Sequence, residues 1–281
     1  MVATFDTDAW KLYCGDKEVI SGSTRLDCSR PFQIKAMAKS GQTTVYNVDL
    51  SHFTKLPIIY LNTDSGQEVK RRSVYEGATL EILGVGDMND TEFQKIQIHG
   101  RGNATWTVMQ KKPSYTFKLE SRQKILGMPK HKRWVLLANW LDRTLLRNHV
   151  SFRIAMQTDL AWTPRGEFVE VVLNGRHIGN YYLCEHIKVD KNRVDIHELE
   201  ETDVDGGFMM EIDTYYDEPF KFKSAKRQFP YMFKDPDEVN DAQFAFMRDF
   251  IDNLEGALYD KSRFAAREYA DYLDIDSFVD W

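Results

Sequence analysis

The chain has 281 residues, of which 42% are hydrophobic and 28% are charged, and its formal net charge is -6. This composition excludes a disordered or fibrous protein and allows one or two globular domains, at about 100 to 200 residues each. Because no run of about 18 apolar residues is present, the sequence predicts no transmembrane segment. We also expect no nucleic-acid partner.

Residues 1–54 alternate between short apolar-rich segments and turns that contain glycine. The segments at 10–13, 18–20, 32–36 and 43–48 have the alternation of β-strands with one solvent-exposed face. We therefore predict a small all-β module here, a partial β-sandwich with a structural or spacer role.

Residues 55–281 begin with strand patterns and end with helical ones. Apolar residues recur every three or four positions from Asp142 to Thr158, which predicts a helix capped by Asp142, with Leu146 and Val150 on its buried face. The dipeptide Asn174-Gly175 predicts a two-residue hairpin turn. Strands are predicted at 58–61, 79–83, 95–99, 115–119 and 208–212, and helices after Pro236. This order favours an α+β fold with a β-rich front and a helical back.

The three cysteines are Cys14, Cys28 and Cys184. Their spacing fits no metal site, and their odd number leaves at least one thiol unpaired. Free, partly buried thiols are the simplest interpretation, and a Cys14–Cys28 disulfide in an exported protein is the alternative.

Three basic clusters lie at the edges of apolar segments between Ile96 and Asn148. Arg101 stands between two glycines, Lys112 precedes Pro113 and a strand pattern, and Arg147 lies in the predicted helix. Guanidinium and ammonium groups are natural partners of phosphate oxygens, so we predict that these three side chains converge on a phosphate-bearing ligand. The structural alternatives are a hairpin turn around Arg101 and an exposed strand entrance at Lys112.

Three acidic residues are the candidates for metal binding or catalysis. Glu185 ends an otherwise apolar strand pattern, where a carboxylate needs a cation, and Lys112 or Arg147 would supply one. Glu211 and Asp213 are two apart on a strand pattern and so share a face, where they would meet Mg²⁺ or a substrate. The alternative for this pair is an edge strand whose carboxylates face water.

Motifs of other enzyme classes are absent from the sequence. The seven histidines never adopt the His-Glu-x-x-His spacing, and no serine stands in Gly-x-Ser-x-Gly, so hydrolase chemistry has no support. Neither the P-loop lysine motif nor the kinase Gly-x-Gly-x-x-Gly motif is present.

From about Leu56 onward the sequence resembles the CotH family of atypical protein kinases. The residues that carry the resemblance are Gly-Arg-Gly-Asn at 100–103, Lys-Lys-Pro at 111–113, Leu-Leu-Ala-Asn-Trp at 136–140, Arg147-Asn148, the segment from Gly179 to Glu185, and the segment from Gly206 to Asp213.

The resemblance implies a divergent protein-kinase-like domain over residues 55–281 that binds ATP with Mg²⁺ or Mn²⁺ and phosphorylates Ser or Thr of a protein substrate. It assigns Arg101, Lys112 and Arg147 to ATP and makes Glu185 a candidate catalytic residue. It also implies export to the cell surface or periplasm, with a lipid anchor in some family members.

The aspartate motifs of the family, which hold the metal and orient the acceptor, are expected beyond Trp281. We therefore interpret the chain as part of a longer kinase, and we expect no kinase activity and at most weak, metal-insensitive ATP binding from this part alone.

A non-enzymatic surface module is the alternative function. Such a module would bind glycans or proteins through exposed aromatic side chains, for which the candidates are Trp106, Trp134, Trp140, Tyr215 and Tyr216. Three of these lie in apolar or motif settings, where core packing is the usual role.

Overall fold

The computed structural model describes residues 5–27, 31–49, 54–72, 74–103, 106 and 111–281. The chain divides into two compact units, Met1–Lys55 and Leu56–Trp281. Cys28 lies outside the described residues, and Cys14 and Cys184 are free thiols.

The first unit is a four-stranded antiparallel sheet with the order β2-β1-β3-β4. Its strands are β1 (Lys11–Cys14), β2 (Lys17–Glu18), β3 (Phe32–Met37) and β4 (Thr43–Val48). Gly15 has a positive φ in the tight turn between β1 and β2, a conformation that glycine adopts without steric cost. Only Val19 and Leu26 are buried apolar residues among the described part of this unit, so its core is small.

The second unit is built around a closed barrel of seven strands. They are β5 (Ile58–Thr63), β6 (Glu76–Leu83), β7 (Thr91–Arg101), β8 (Ser114–Ile125), β9 (Met128–Leu137), β10 (Gly166–Leu173) and β11 (Arg176–Glu185). The order around the barrel is β10-β11-β9-β8-β7-β6-β5. Neighbouring strands are antiparallel, and a parallel pairing of β5 with β10 closes the barrel.

Apolar side chains that alternate along the strands fill the barrel interior. On β8, Tyr115, Phe117 and Leu119 are at most 3% exposed and belong to the core, while Lys118 between them is half-buried. Trp134 on the next strand is fully buried in the same core. The predicted turn at Asn174-Gly175 is confirmed, since both residues have positive φ and Leu173 pairs with Arg176.

The helix α1 (Arg147–Ala155) lies between β9 and β10 in sequence and is shorter than predicted. Leu145 has a φ of +61°, outside the helical region, and Asp142 instead closes the preceding turn by accepting hydrogen bonds from the N–H groups of Thr144 and Arg147. The prediction that Leu146 and Val150 lie on a buried face is wrong, because each is 47% exposed.

The helix α1 packs on the outer face of the barrel through aromatic side chains. His149 and Phe152 contact Tyr182 on β11, with ring centroids 5.7 Å and 6.1 Å apart. The described apolar residues beneath the helix include Leu137 and Phe168. The helix therefore presents its aromatic side, and not its aliphatic side, to the sheet.

The last part of the unit combines a small sheet with helices. The sheet has the order β12-β14-β13, formed by β12 (Met209–Ile212), β13 (Lys221–Lys223) and β14 (Pro230–Asp235). The helices are α2 (Asp241–Tyr259), α3 (Lys261–Ala265) and α4 (Ile275–Asp280), with a 3₁₀ turn at Glu268–Asp271. The fold is thus α+β and rich in strands, with its longest helix near the end of the chain.

The long helix α2 begins at a capping box and packs against the small sheet. Asn240 and Gln243 exchange side-chain to backbone hydrogen bonds at its first turn, which satisfies N–H groups that a helix start leaves free. Phe222 and Phe233 of the sheet meet Met247 and Ile251 of the helix in a second core. Over the described part of the chain, every helix is too short or too polar to cross a membrane.

Candidate functional site

Arg101 ends β7 with its side chain on the outer face of the barrel. Ile96 and Ile98 belong to the interior core, so the alternating residues His99 and Arg101 point outward. Its guanidinium is half-buried and forms no ion pair or hydrogen bond with any residue that the structure describes. Loss of hydration lowers the pKa of Arg101, and this effect is opposed by Cys184 and by Glu211. A cation in this setting favours an external anion.

A cavity of about 350 Å³ connects Arg101 with the start of α1. Trp140 and Arg147 line its far side. The loop between them is held by amides, because Asn148 Nδ2 donates to Asn139 Oδ1 at 2.8 Å, and Asn139 Nδ2 donates to the Leu145 carbonyl at 3.0 Å. The structure therefore brings Arg101 and Arg147 to one cavity.

The two arginines contribute unequally to this cavity, which we call the Arg101 cavity. The side chain of Arg147 is 83% exposed and lies 3.6 Å from the carboxylate of Asp142. Backbone hydrogen bonding from Arg147 is the main cause of the lowered pKa of Asp142, ahead of the guanidinium charge. Solvent screens an exposed pair of this kind, so Arg101 dominates the electrostatics.

The charge of Arg101 acts on two neighbouring histidines. Burial is the main cause that lowers the pKa of His186 to about 3, and the charges of Arg101, Arg133 and Lys188 contribute to this shift. The pKa of His99 is lowered by the same causes, namely burial and then the charges of Arg101 and Arg133. Both imidazoles are therefore neutral at pH 7, and the charge on this face comes from arginine and lysine.

Lys112 lines a different cavity from Arg101. Its ammonium donates to the backbone carbonyls of Ala138, at 3.1 Å, and Asn180, and it lies 4.7 Å from the ring centroid of Tyr181. Burial lowers the pKa of Lys112, and Glu170 opposes this shift. These two bonds use two of the three N–H donors of the ammonium group. One donor is left for a phosphate oxygen, and the phosphate contact of Lys112 stays a prediction.

Glu185 is paired with two arginines that we did not identify from the sequence. Arg165 donates from Nε to Oε2 and from Nη2 to Oε1, each at 2.9 Å, and its backbone N–H also donates to Oε2. Arg193, which is fully buried, lies 3.8 Å from Oε1. The expected pairing of Glu185 with Lys112 or Arg147 is therefore wrong, and Glu185 does not face the Arg101 cavity with a free carboxylate.

Residues 96–281 match the protein-family model described as CotH kinase protein. The chain belongs to the CotH kinase family. The matched region contains the Arg101 cavity, Lys112 and the Glu185 cluster. No curated protein matches the chain.

Metal binding by this family member was predicted at Glu185, Glu211 and Asp213. Glu185 does not fit, because both of its oxygens already accept hydrogen bonds from Arg165. Glu211 is half exposed and lies 3.3 Å from Lys234, and Asp213 accepts a hydrogen bond from the backbone of Tyr215. The described residues contain no group of three His, Cys, Asp or Glu side chains placed to hold an ion. The role of Glu211 and Asp213 stays a prediction.

The aromatic residues proposed for a binding module differ widely in exposure. Trp134 is fully buried, and Trp106 packs against the barrel core. Trp140 and Tyr215 are 44% and 53% exposed. Trp134 and Trp106 therefore have core-packing roles, whereas Trp140 and Tyr215 are exposed.

Sequence reasoning missed the arginines around Glu185 and the amides of the Arg101 cavity. Arg165 and Arg193 lie twenty and eight positions from Glu185 in segments without strand or helix periodicity, so no spacing rule points to them. The signal that was available is the carboxylate itself, because a buried acid requires a cation. Asn139 has a φ of +49°, a left-handed conformation that asparagine tolerates better than most residues.

Proposed function

We propose that this CotH family member binds ATP with its phosphates in the Arg101 cavity and transfers the γ-phosphoryl group to Ser or Thr of a protein substrate. The observation that carries the proposal is Arg101, a half-buried guanidinium on the wall of this cavity that forms no ion pair or hydrogen bond with any residue the structure describes. The family resemblance adds the substrate class and a location at the cell surface or periplasm.

The strand order supports a kinase-like arrangement of this half of the unit. Strands β7, β8, β9, β11 and β10 are neighbours in that order, and α1 enters between β9 and β10 in sequence. In protein kinases the helix αC lies against a strand sheet, and the glycine-rich connection between two strands covers the phosphates.

The chain departs from protein kinases at the lysine–glutamate pair. Kinases pair a lysine of the third strand with a glutamate of αC, and the lysine holds phosphate oxygens. On β9, Val135 and Leu137 belong to the apolar cluster under α1, and α1 itself contains no acidic residue. The last four residues of β9, Trp134–Leu137, carry no charge, and we infer that Arg101, from the end of β7, supplies the cation for the phosphates at this end of the sheet.

The roles of the residues follow from their geometry. Arg101 would bind phosphate oxygens through its planar fork of donors, and its partial burial strengthens this interaction relative to water. The Asn139–Asn148 pair would fix the wall of the cavity, and Arg147 would add a screened charge at its mouth. A divalent metal bound with ATP would neutralise charge on the phosphates.

Calorimetric titration of ATP, with and without Mg²⁺, tests the nucleotide site, and from this part of the kinase alone we expect weak binding that Mg²⁺ does not change. The variant Arg101→Met should lower ATP affinity by about tenfold or more, the usual loss for a charged hydrogen bond, and Arg101→Lys should recover part of it. The matched control is Arg248→Met, which removes an exposed arginine of α2 that pairs with its neighbour Asp249. Equal ATP affinity for wild type and Arg101→Met would refute the nucleotide site.

A further inference from the structure

We propose that the mouth of the barrel is a second ligand site, which takes a small phosphate monoester with an aromatic or apolar body. The site is a cavity of about 390 Å³ lined by residues of β8, β10 and β11, by the residues just before β8, and by the loop between β5 and β6. Its volume lies within the range of about 300 to 1,000 Å³ that is typical of small-molecule sites. Its described lining residues are all different from those of the Arg101 cavity.

The floor of the barrel-mouth cavity is aromatic. Tyr115 and Tyr181 are at most 3% exposed, and their rings are stacked with centroids 6.1 Å apart. Tyr181 donates its hydroxyl to the Pro113 carbonyl at 3.0 Å, which fixes its ring. Burial raises the pKa of Tyr115 to about 12, so this tyrosine is neutral. A floor of this kind receives a flat or apolar group.

The rim of the same cavity is cationic. Lys70, Lys111 and Arg176 come from three segments that are distant in sequence. Glu68 is the sole carboxylate among the described lining residues, and it pairs with Arg176 at 3.5 Å. Lys70 and Lys111 form no ion pair with any described side chain. Together with Lys112 they give an excess of positive charge in a chain whose net charge is -6.

The amount of positive charge favours a phosphate. Lys70, Lys111 and Lys112 place three ammonium groups at one cavity, which match the double charge of a phosphate monoester better than the single charge of a carboxylate. The one arginine of the rim is already paired. Lys112, whose pKa is lowered by burial, keeps one N–H donor, so a phosphate at the rim would relieve its loss of hydration.

The two cavities meet the opposite ends of one connection. Arg101 and Gly102 line the Arg101 cavity at the end of β7, and Lys111 and Lys112 line the barrel mouth before β8 begins. The second site itself stands on different residues from the nucleotide site and does not depend on it.

Protection of lysines from acylation, read by mass spectrometry, locates the ligand. Phenyl phosphate should slow acylation of Lys70 and Lys111 but leave Lys261, an exposed lysine in α3, unchanged. Inorganic phosphate should protect more weakly because it lacks a group for the tyrosine floor, and benzoate should protect least. Equal protection of Lys261, or no protection of the rim lysines, would refute the site.

Variants separate this site from the nucleotide site. The double variant Lys70→Gln/Lys111→Gln should lose about tenfold or more in phenyl phosphate affinity by calorimetry, the usual loss of a charged contact. Arg101→Met should bind phenyl phosphate as wild type does. Both lysines are exposed, and an unchanged melting temperature would show that the fold is intact. Loss of phenyl phosphate binding in Arg101→Met, or its retention in the double variant, would overturn the proposal.

Discussion

Arg165 holds Glu185 through two parallel hydrogen bonds of 2.9 Å, and the carboxylate has no solvent exposure. On its other side the fully buried Arg193 lies 3.8 Å from the same carboxylate and 5.2 Å from the ring centroid of Trp134. The guanidinium of Arg193 also donates to the carbonyls of His186 and Arg133. Glu185 at the end of β11 therefore holds Arg193 from the segment after β11, and Arg193 in turn bonds to β9.

Replacing Glu185 by glutamine should strongly destabilise the second unit. The change removes the nearer of the two carboxylates that act on the buried Arg193 and leaves Asp190, which also pairs with Arg122. Breaking a buried pair in this way costs about 3 to 5 kcal/mol. The measurement is the free energy of unfolding in urea. The control is Glu68→Gln, which removes a 77% exposed partner of Arg176 and should change that free energy by less than about 0.5 kcal/mol. A loss as small as the control's would show that Glu185 has no stabilising role.

Arg147 and Arg101 should differ in their effect on ATP binding although they line one cavity. Arg147 is 83% exposed and its charge is screened, so Arg147→Ala should lower ATP affinity by less than about threefold. Arg101→Met should lower it by about tenfold or more. Calorimetry at low and high salt measures both, and the effect of Arg147→Ala should vanish at high salt. A larger loss from Arg147→Ala than from Arg101→Met would reverse this assignment.

His131 should make the folded protein less stable as the pH falls. Burial lowers its pKa to about 4, with Arg193 as the next cause, whereas the unfolded chain takes up the proton near pH 6.5. Between these values the unfolded state binds more protons, so the stability present above pH 6.5 is lost progressively toward pH 4. His131→Gln should reduce the slope of unfolding free energy against pH by up to about 1.4 kcal/mol per unit. The control is His197→Gln, at a 66% exposed position, and an unchanged slope in His131→Gln would contradict the prediction.

Local sequence patterns predicted local structure well, but they did not predict which distant strands pair. The alternation at 115–119 and the Asn174-Gly175 turn depend on neighbouring residues, and both agree with the structure. The parallel pairing of β5 with β10 joins Ile58 to Glu170, and nothing in either strand specifies its partner. Closure of the barrel was therefore not foreseen.

At the candidate site, too, the sequence predicted local features but not long-range contacts. Sequence clustering placed Arg101 and Arg147 near each other, because both flank segments that end at one edge of the sheet. It did not give the partners of Lys112, since the Asn180 carbonyl lies 68 positions away and any backbone carbonyl is an equal candidate. The start of α1 was misplaced because the positive φ of Leu145 has no signal in a residue that normally favours helices.

Gly100 should tolerate no side chain because Trp106 covers it. A Cβ atom at this position would overlap the six-membered ring of Trp106, which packs against the barrel core. Gly100→Ala should therefore destabilise the fold by about 1 to 3 kcal/mol, the usual cost of overpacking. Trp106→Leu in the same chain should recover part of this loss, because the smaller side chain makes room. A double-mutant cycle of unfolding free energies measures the coupling, which should be at least about 0.5 kcal/mol, the lower limit for residues in contact. Strict additivity of the two changes would mean that the indole does not lie against Gly100 in solution.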